Sequence, residues 1–378
     1  MFSAQGILHE GRKIFTPTGE TGILARHWCS GSSKFGTGHP EPINLGKTMT
    51  MTDEKLAGQR LMAGFDGTGL NRDLKWLIGT LKVGGIILFS RNIESPKQLS
   101  GLCQSVQAYA AACGQPPLLI AIDQEGGAVA RLKWPFTEFP ARPPVTGRKE
   151  AEHLAGVMAW ELAAMGINMN MAPVMDVAPK EMKSIMAGRA FSHDPHRVSE
   201  LGCRLIEVFQ RNSIMAVAKH FPGIGRTVID SHEDLPFMDS AVDDLQCFDL
   251  IPFQAAVRQN AAGMMLSHIL YRKIDPQWPA SLSVRIAKDL LRERMGYRGL
   301  VITDDLDMGA IGKHYDMETC IRQILLADID IVLICHRGPN IGIAHKEILR
   351  HMQEHKSLRQ RCETAVRRIL EMKRSYRI

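Results

Sequence analysis

No run of eighteen apolar residues occurs in the 378-residue chain, which argues against a membrane-spanning helix. Its first residues, MFSAQGILHEGRKIF, lack the charged-then-apolar order of a secretory signal. The eight cysteines are scattered, with no CxxC pair and no dense framework. Free thiols in a reducing cytoplasm are therefore expected, and a zinc site or other metal is not. No G-x-G-x-x-G turn follows an early strand, so the fingerprint of a dinucleotide-binding sheet is missing. What remains is 45% hydrophobic and 23% charged, the profile of a soluble globular protein. A net charge of +6 invites a nucleic-acid partner, but residues 345–378 hold ten Lys or Arg against four Glu, which equals the whole excess. The apolar positions there, Ile348, Leu349, Met352, Leu358, Val366, Ile369 and Leu370, mark an amphipathic helical end whose basic face is solvated. No nucleic acid is expected.

Residues 1–50 have scattered Gly, Ser, Thr and Pro and no lasting periodicity, and read as a poorly ordered N-terminal extension. From residue 51 a rhythm begins. Eight apolar, strand-like runs end near Asp66, Arg91, Asp123, Asp176, His220, His268, Asp305 and His336. Helical stretches are expected between them, at Gly69–Lys82, Pro96–Cys113, Lys149–Met165, Pro195–Asn212, Leu245–Asn260, Val284–Met295 and Glu318–Ala327. Eightfold alternation predicts an α/β fold of the (β/α)8, TIM-barrel type over residues 51–378, with a doubly wound sheet as the competing arrangement. In such a barrel the chemistry sits where the strands end.

The richest of those ends is Lys219 to Pro236, KHFPGIGRTVIDSHEDLP. Pro222, Gly223 and Gly225 break regular structure, and no helical pattern resumes until about Val242, so the segment is a long functional loop. It carries a lysine, two histidines and a carboxylate. Lys219 is either a Schiff-base nucleophile or a cation that anchors hydroxyls or an anionic group. Asp123 opens DQEGGAVARL beside Gly126 and Gly127, which permit close approach of a ligand, and Arg131 lies eight residues on. Asp304, after GLVIT, is a strand-end carboxylate, although it or Asp305 also suits a helix cap. His268, after MMLS, is expected to face a ligand rather than the core.

Together, DQEGGAVARL, AGRAFSHDP, KHFPGIGRTVIDSHEDLP and VITDDLDM resemble family 3 glycoside hydrolases, particularly the single-domain bacterial β-N-acetylglucosaminidases (β-N-acetylhexosaminidases). The resemblance covers about residues 52–375. It implies that Asp304 is the nucleophile, His232 the general acid/base and Asp230 the carboxylate that orients it. It also implies that Asp123, Arg131, Arg189, Lys219 and His220 hold the terminal sugar. The implied activity is removal of terminal β-linked N-acetylglucosamine from a carbohydrate substrate, in many members from muropeptides during peptidoglycan recycling, with no cofactor. Ile224 and Arg226 stand where the family commonly has His and Asp, Ala128 where Arg is frequent, and Ala190-Phe191-Ser192 where Ser-Phe-Gly is usual. These departures bear on loop conformation and aglycone preference, not on the implied catalytic set.

Retention needs a nucleophile and a proton donor, usually two carboxylates. Here the donor is expected to be an imidazole, whose ordinary pKa of ~6.5 suits proton traffic near neutrality. Three other readings compete: an exo-β-glycosidase of different sugar preference, a Lys219 Schiff-base aldolase, and a sugar-binding barrel without turnover.

Overall fold

A computed structural model describes residues 51–139, 145, 147–228, 230–231 and 233–378. The chain divides into two units, Met1–Thr50 and Met51–Ile378, and only the second is described. The expected N-terminal extension thus lies outside the described residues.

The eight apolar runs form the strands β1 (Leu61–Ala63), β2 (Gly85–Leu88), β3 (Leu119–Ile122), β4 (Met169–Asn170), β5 (Met215–Phe221), β6 (Gly263–Leu266), β7 (Leu300–Thr303) and β8 (Val332–Ile334). All pair in parallel, each with its neighbour in sequence, and β8 returns to β1 with Leu61 opposite Val332. A bridge between Ile302 and Ile331 brings β7 to β8, so the sheet is a nearly closed eight-stranded barrel. The doubly wound alternative is excluded, because such a sheet keeps two open edges.

The helices α1 (Asp53–Gln59), α2 (Arg72–Gly79), α3 (Pro96–Ala112), α4 (Arg148–Met165), α5 (Pro195–Arg211), α6 (Leu250–Arg258) and α7 (Met317–Leu326) punctuate the strands. Their ends follow local chemistry. Ser95 and Asp194 cap α3 and α5 with Pro at the first helical position, and Gly166 ends α4 in the left-handed conformation. Two expectations change in detail. The stretch Leu245–Asn260 is split into Val242–Gln246 and α6, and Arg285–Arg294 is π-helical, with the Met295 amide reaching the Leu290 carbonyl.

The C-terminal end forms α8 (Asn340–Glu354) and α9 (Lys356–Ser375), meeting at His355. Ile369, from α9, joins the core inside the barrel with Met62, Met169, Met215 and Met265, while Met372, Tyr376 and Ile378 pack beneath it. The basic face expected here is only partly solvated. Arg368 reaches both Asp328 and Asp330, and Lys373 is buried, donating to Gln59 Oε1 and the Gly84 carbonyl at 2.9 Å each. Burial pushes the Lys373 ammonium down to about 7. No described helix is long and apolar enough to cross a membrane.

Candidate active site

Six of the eight expected site residues line one cavity of about 520 Å³ at the C-terminal ends of the strands: Asp123, Arg131, Arg189, Lys219, His220 and Asp304. The way β5 delivers two of them is not visible in sequence. Consecutive strand residues ordinarily face opposite sides. Against β6, however, Ala218 pairs with Met264 and Phe221 with Leu266, so β5 holds one extra residue between them. This bulge sits at Lys219–His220 and lets both side chains reach the cavity.

Lys219 Nζ donates to Asp123 Oδ1 and contacts Glu125 Oε1, both at 2.8 Å. Arg131 reaches the other Asp123 oxygen at 3.3 Å, and Arg189 forks onto Glu125 at 3.0 and 2.6 Å. Burial alone would raise the Asp123 pKa, but Lys219 and Arg131 together outweigh it and hold the carboxyl at about 2. Glu125 is likewise lowered, against its burial, by Lys219 and Arg189. Burial would strip the proton from Lys219, yet Asp123 and Glu125 keep its pKa above the usual lysine value. A lysine held so firmly as ammonium is a cationic anchor, not an amine nucleophile, which removes the basis of the Schiff-base reading.

Asp176, at the end of the β4 run and wholly buried, anchors the next layer. Its Oδ2 lies 2.7 Å from His220 Nδ1 and accepts the His220 amide at 3.2 Å, while Oδ1 accepts the Ile224 amide at 2.8 Å. The imidazole therefore donates from Nδ1 and turns Nε2 toward Arg189 Nη2, 3.5 Å away.

From there the long loop has a rigid root and a separately held tip. At the root, Gly223 has φ +124 and offers its carbonyl to the buried Tyr271 hydroxyl at 2.7 Å. A Cβ on Gly225 would lie 1.8 Å from the Val177 carbonyl oxygen, so only glycine fits. Arg226 forks onto the buried Asp249, and the Thr227 carbonyl accepts the Ile185 amide at 3.2 Å. The root is thereby tied to the segment that carries Arg189. Burial raises the Asp249 carboxyl to about 6 despite Arg226. At the tip, the Ser231 carbonyl accepts the Ala310 amide at 3.1 Å, Lys313 Nζ donates to the Glu233 carbonyl at 2.5 Å, and His314 Nε2 lies 2.6 Å from Asp234 Oδ1. Asp230 is exposed on this loop and is not among the cavity-lining residues. His232, the expected acid/base, lies outside the described residues.

Asp304 follows β7 and accepts the Asp305 amide on Oδ1 at 2.8 Å. Asp305 turns to backbone instead, accepting the Cys335 and Asp307 amides on Oδ1 at 2.9 and 3.1 Å, and burial raises its pKa to about 6. His268 corrects the sequence reading. Its Nδ1 lies 2.7 Å from the Ser281 hydroxyl and its Nε2 2.8 Å from the Asp305 carbonyl, so it is a satisfied core histidine that braces the turn after Asp304. Residues missed by the sequence reading are Glu125, Asp176, Phe89, Asp307 and His336, four of which line the cavity. Asp176 and His336 were legible as polar strand ends, and Glu125 stood inside DQEGG; nothing in sequence singled out Phe89.

The chain matches the family described as Glycosyl hydrolase family 3 N terminal domain over residues 47–372. It is 36% identical over 303 residues to a β-hexosaminidase of Alkalilimnicola ehrlichii, covering 78% of this chain and 84% of that one. Among solved structures it is similar to a family 3 β-N-acetylglucosaminidase of Paenibacillus sp. str. FPU-7, with TM-score 0.82, 34% identity, and coverage of 86% of this chain and 63% of that one. A β-N-acetylhexosaminidase of Beutenbergia cavernae gives TM-score 0.79 at 28% identity, covering 85% of this chain and 98% of that one.

Proposed function

This chain belongs to glycosyl hydrolase family 3 and is a glycoside hydrolase, and from that premise we propose that it is a retaining, exo-acting β-N-acetylglucosaminidase. The observation that carries the reading is the single cavity joining Asp304 to the Asp123, Arg131, Arg189, Lys219 and His220 set. At about 520 Å³ it has the volume of an ordinary small-molecule site, and a terminal sugar fits among fixed donors and acceptors. The β-hexosaminidase and β-N-acetylglucosaminidase relatives support the sugar preference.

In this mechanism Asp304 attacks the anomeric carbon while His232 gives a proton to the departing oxygen, leaving a glycosyl ester on Asp304. His232 then takes a proton from water, which attacks the same carbon and releases the sugar with its β configuration kept. Asp230, two residues from His232, orients and charges the imidazole. Asp123, Arg131, Lys219 and His220 bind the hydroxyls, and Arg189 contacts the sugar while fixing Glu125. We assign the natural substrate to muropeptides of peptidoglycan recycling in the cytoplasm, a setting that suits the described cysteines, all of them free.

The test compares kcat/KM for 4-nitrophenyl β-N-acetylglucosaminide with those for the β-glucoside and β-xyloside. Preference for the acetamido sugar is expected. Faster turnover of the glucoside would mean a different exo-β-glycosidase, and binding of N-acetylglucosamine without turnover would mean a sugar-binding barrel. Release of N-acetylglucosamine from an isolated muropeptide, followed by mass spectrometry, tests the substrate assignment.

A further inference from the structure

A second cluster of chemically capable side chains stands at the elbow of the two C-terminal helices, and shares no residue with the cavity. We propose that His351, Glu354 and His355 form a binding site for a divalent transition-metal ion such as zinc. The sequence there is HMQEH, and the spacing of four residues sets His355, the residue that ends α8, one turn beyond His351 in its last turn. Two imidazoles at that spacing are a ready pair of metal ligands, and the Glu354 carboxylate lies close enough to be a third. One donor atom from each of the three residues lies within 4.8 Å of the other two.

The independent sign of a ligand is His351 itself. It is 3% exposed, and neither Nδ1 nor Nε2 has a hydrogen-bond partner among the described residues. A buried imidazole without partners leaves its desolvation uncompensated, and buried polar groups in folded proteins ordinarily find one. His355 covers it, with ring centroids 6.2 Å apart and planes inclined by 21°. Rotation of the exposed His355 and Glu354 side chains opens the way to the buried nitrogen.

The donor set of two imidazoles and one carboxylate suits zinc, nickel or copper better than magnesium or calcium, which prefer oxygen throughout. Zinc holds such atoms at ~2.0–2.2 Å, so the three donors must close together by roughly an ångström. Two of the three are exposed and can do so. Glu354 accepts from Arg350 Nη1 at 3.0 Å, but Arg350 also pairs with Glu318 at 2.5 Å and Glu347 at 2.8 Å, so it keeps partners when Glu354 turns to a metal. The other cluster of suitable atoms, Asp305, Asp307 and His336, is a weaker candidate. Its carboxylates already accept the Cys335, Asp307 and His336 amides.

A metal at the elbow would tie the end of α8 to His355, the residue that also caps α9. Because α9 supplies Ile369 to the barrel core, the ion would stabilise the folded chain by binding it and not the unfolded one.

The experiment uses the full chain without an affinity tag, stripped with a chelator and titrated with Co²⁺ and then Zn²⁺. Expected are the visible absorption of nitrogen- and oxygen-bound Co²⁺, its loss on Zn²⁺ addition, and a rise in Tm with Zn²⁺. Glu354→Gln and His355→Ala, both at exposed positions, should fold, weaken binding by at least about tenfold and lose the Tm rise. His336→Ala should bind as the unchanged chain does. Absence of any Co²⁺ or Zn²⁺ binding, binding unaltered in His355→Ala, or binding lost only in His336→Ala would each overturn the site.

Discussion

One oxygen of Asp304 accepts the Asp305 amide, and the other has no hydrogen-bond partner among the described residues. That free oxygen on a strand end is what a nucleophile needs, whereas both carboxylate oxygens of Asp305 and of Asp307 are engaged by neighbouring groups. Asp304→Ala should therefore lower kcat by roughly 10⁴–10⁶-fold while sugar binding persists. A fluorinated glycosyl trap should add its mass at Asp304; a label on Asp305 or Asp307 would refute the assignment. Asp305 has a different signature. Its folded pKa of about 6 exceeds the ordinary 3.8, so the folded chain holds that proton more tightly than the unfolded chain does. Its contribution to stability is complete below the ordinary value and is lost as pH rises through 6. The two-unit gap corresponds to about 2–3 kcal/mol. Asp305→Asn, which keeps an oxygen for the Cys335 amide, should flatten that loss between pH 4 and 7. Urea unfolding of both proteins across the range measures it, and parallel curves would mean that Asp305 ionises normally.

At the scale of elements, the strands were readable because each is a short apolar run with polar residues after it, such as LIAI before Asp123 or LVIT before Asp304. The helices followed from caps and periodicity, since these are local. The bulge in β5 was not readable, because register depends on the neighbouring strand. Nor was the inward brace made by His268, whose partners Ser281 and Asp305 are distant in sequence. The loop was legible as a loop, but its anchors were not. Its tip rests on residues 310–314 through one buried backbone bond, Ala310 to Ser231, and two exposed side-chain contacts from Lys313 and His314, which are individually weak. Together they fix the backbone on either side of position 232. Lys313→Ala with His314→Ala should therefore imitate His232→Ala in milder form. Turnover of alkyl glycosides should fall, while dinitrophenyl glycosides, whose leaving group needs no proton, keep the first step. His232→Ala itself should lose roughly 10²–10⁴-fold on the alkyl substrates. The Ala310 amide reports tip docking directly, and its hydrogen exchange should quicken in the double variant. Unchanged exchange would show that these side chains do not hold the tip.

For the whole molecule, the family match begins at residue 47 and the first described helix at Asp53. A chain beginning at Met51 should consequently fold and retain kcat/KM within about twofold of the full chain. Insolubility or loss of turnover would show that the first fifty residues contribute to the catalytic unit. The cavity also carries its charge unevenly: Asp123 and Glu125 are matched by Arg131, Arg189 and Lys219 on one side, whereas Asp304, Asp305 and Asp307 gather as an acidic half on the other. Such an arrangement amounts to a standing electric field, fixed by the barrel before any substrate arrives. As the glycosidic bond breaks, positive charge develops on the sugar ring, and a carbon held beside the acidic half meets negative charge already in place. Water would have to reorient to do the same. A ring bearing a permanent positive charge at that position, as in a protonated iminosugar, meets the same field without any bond having to break.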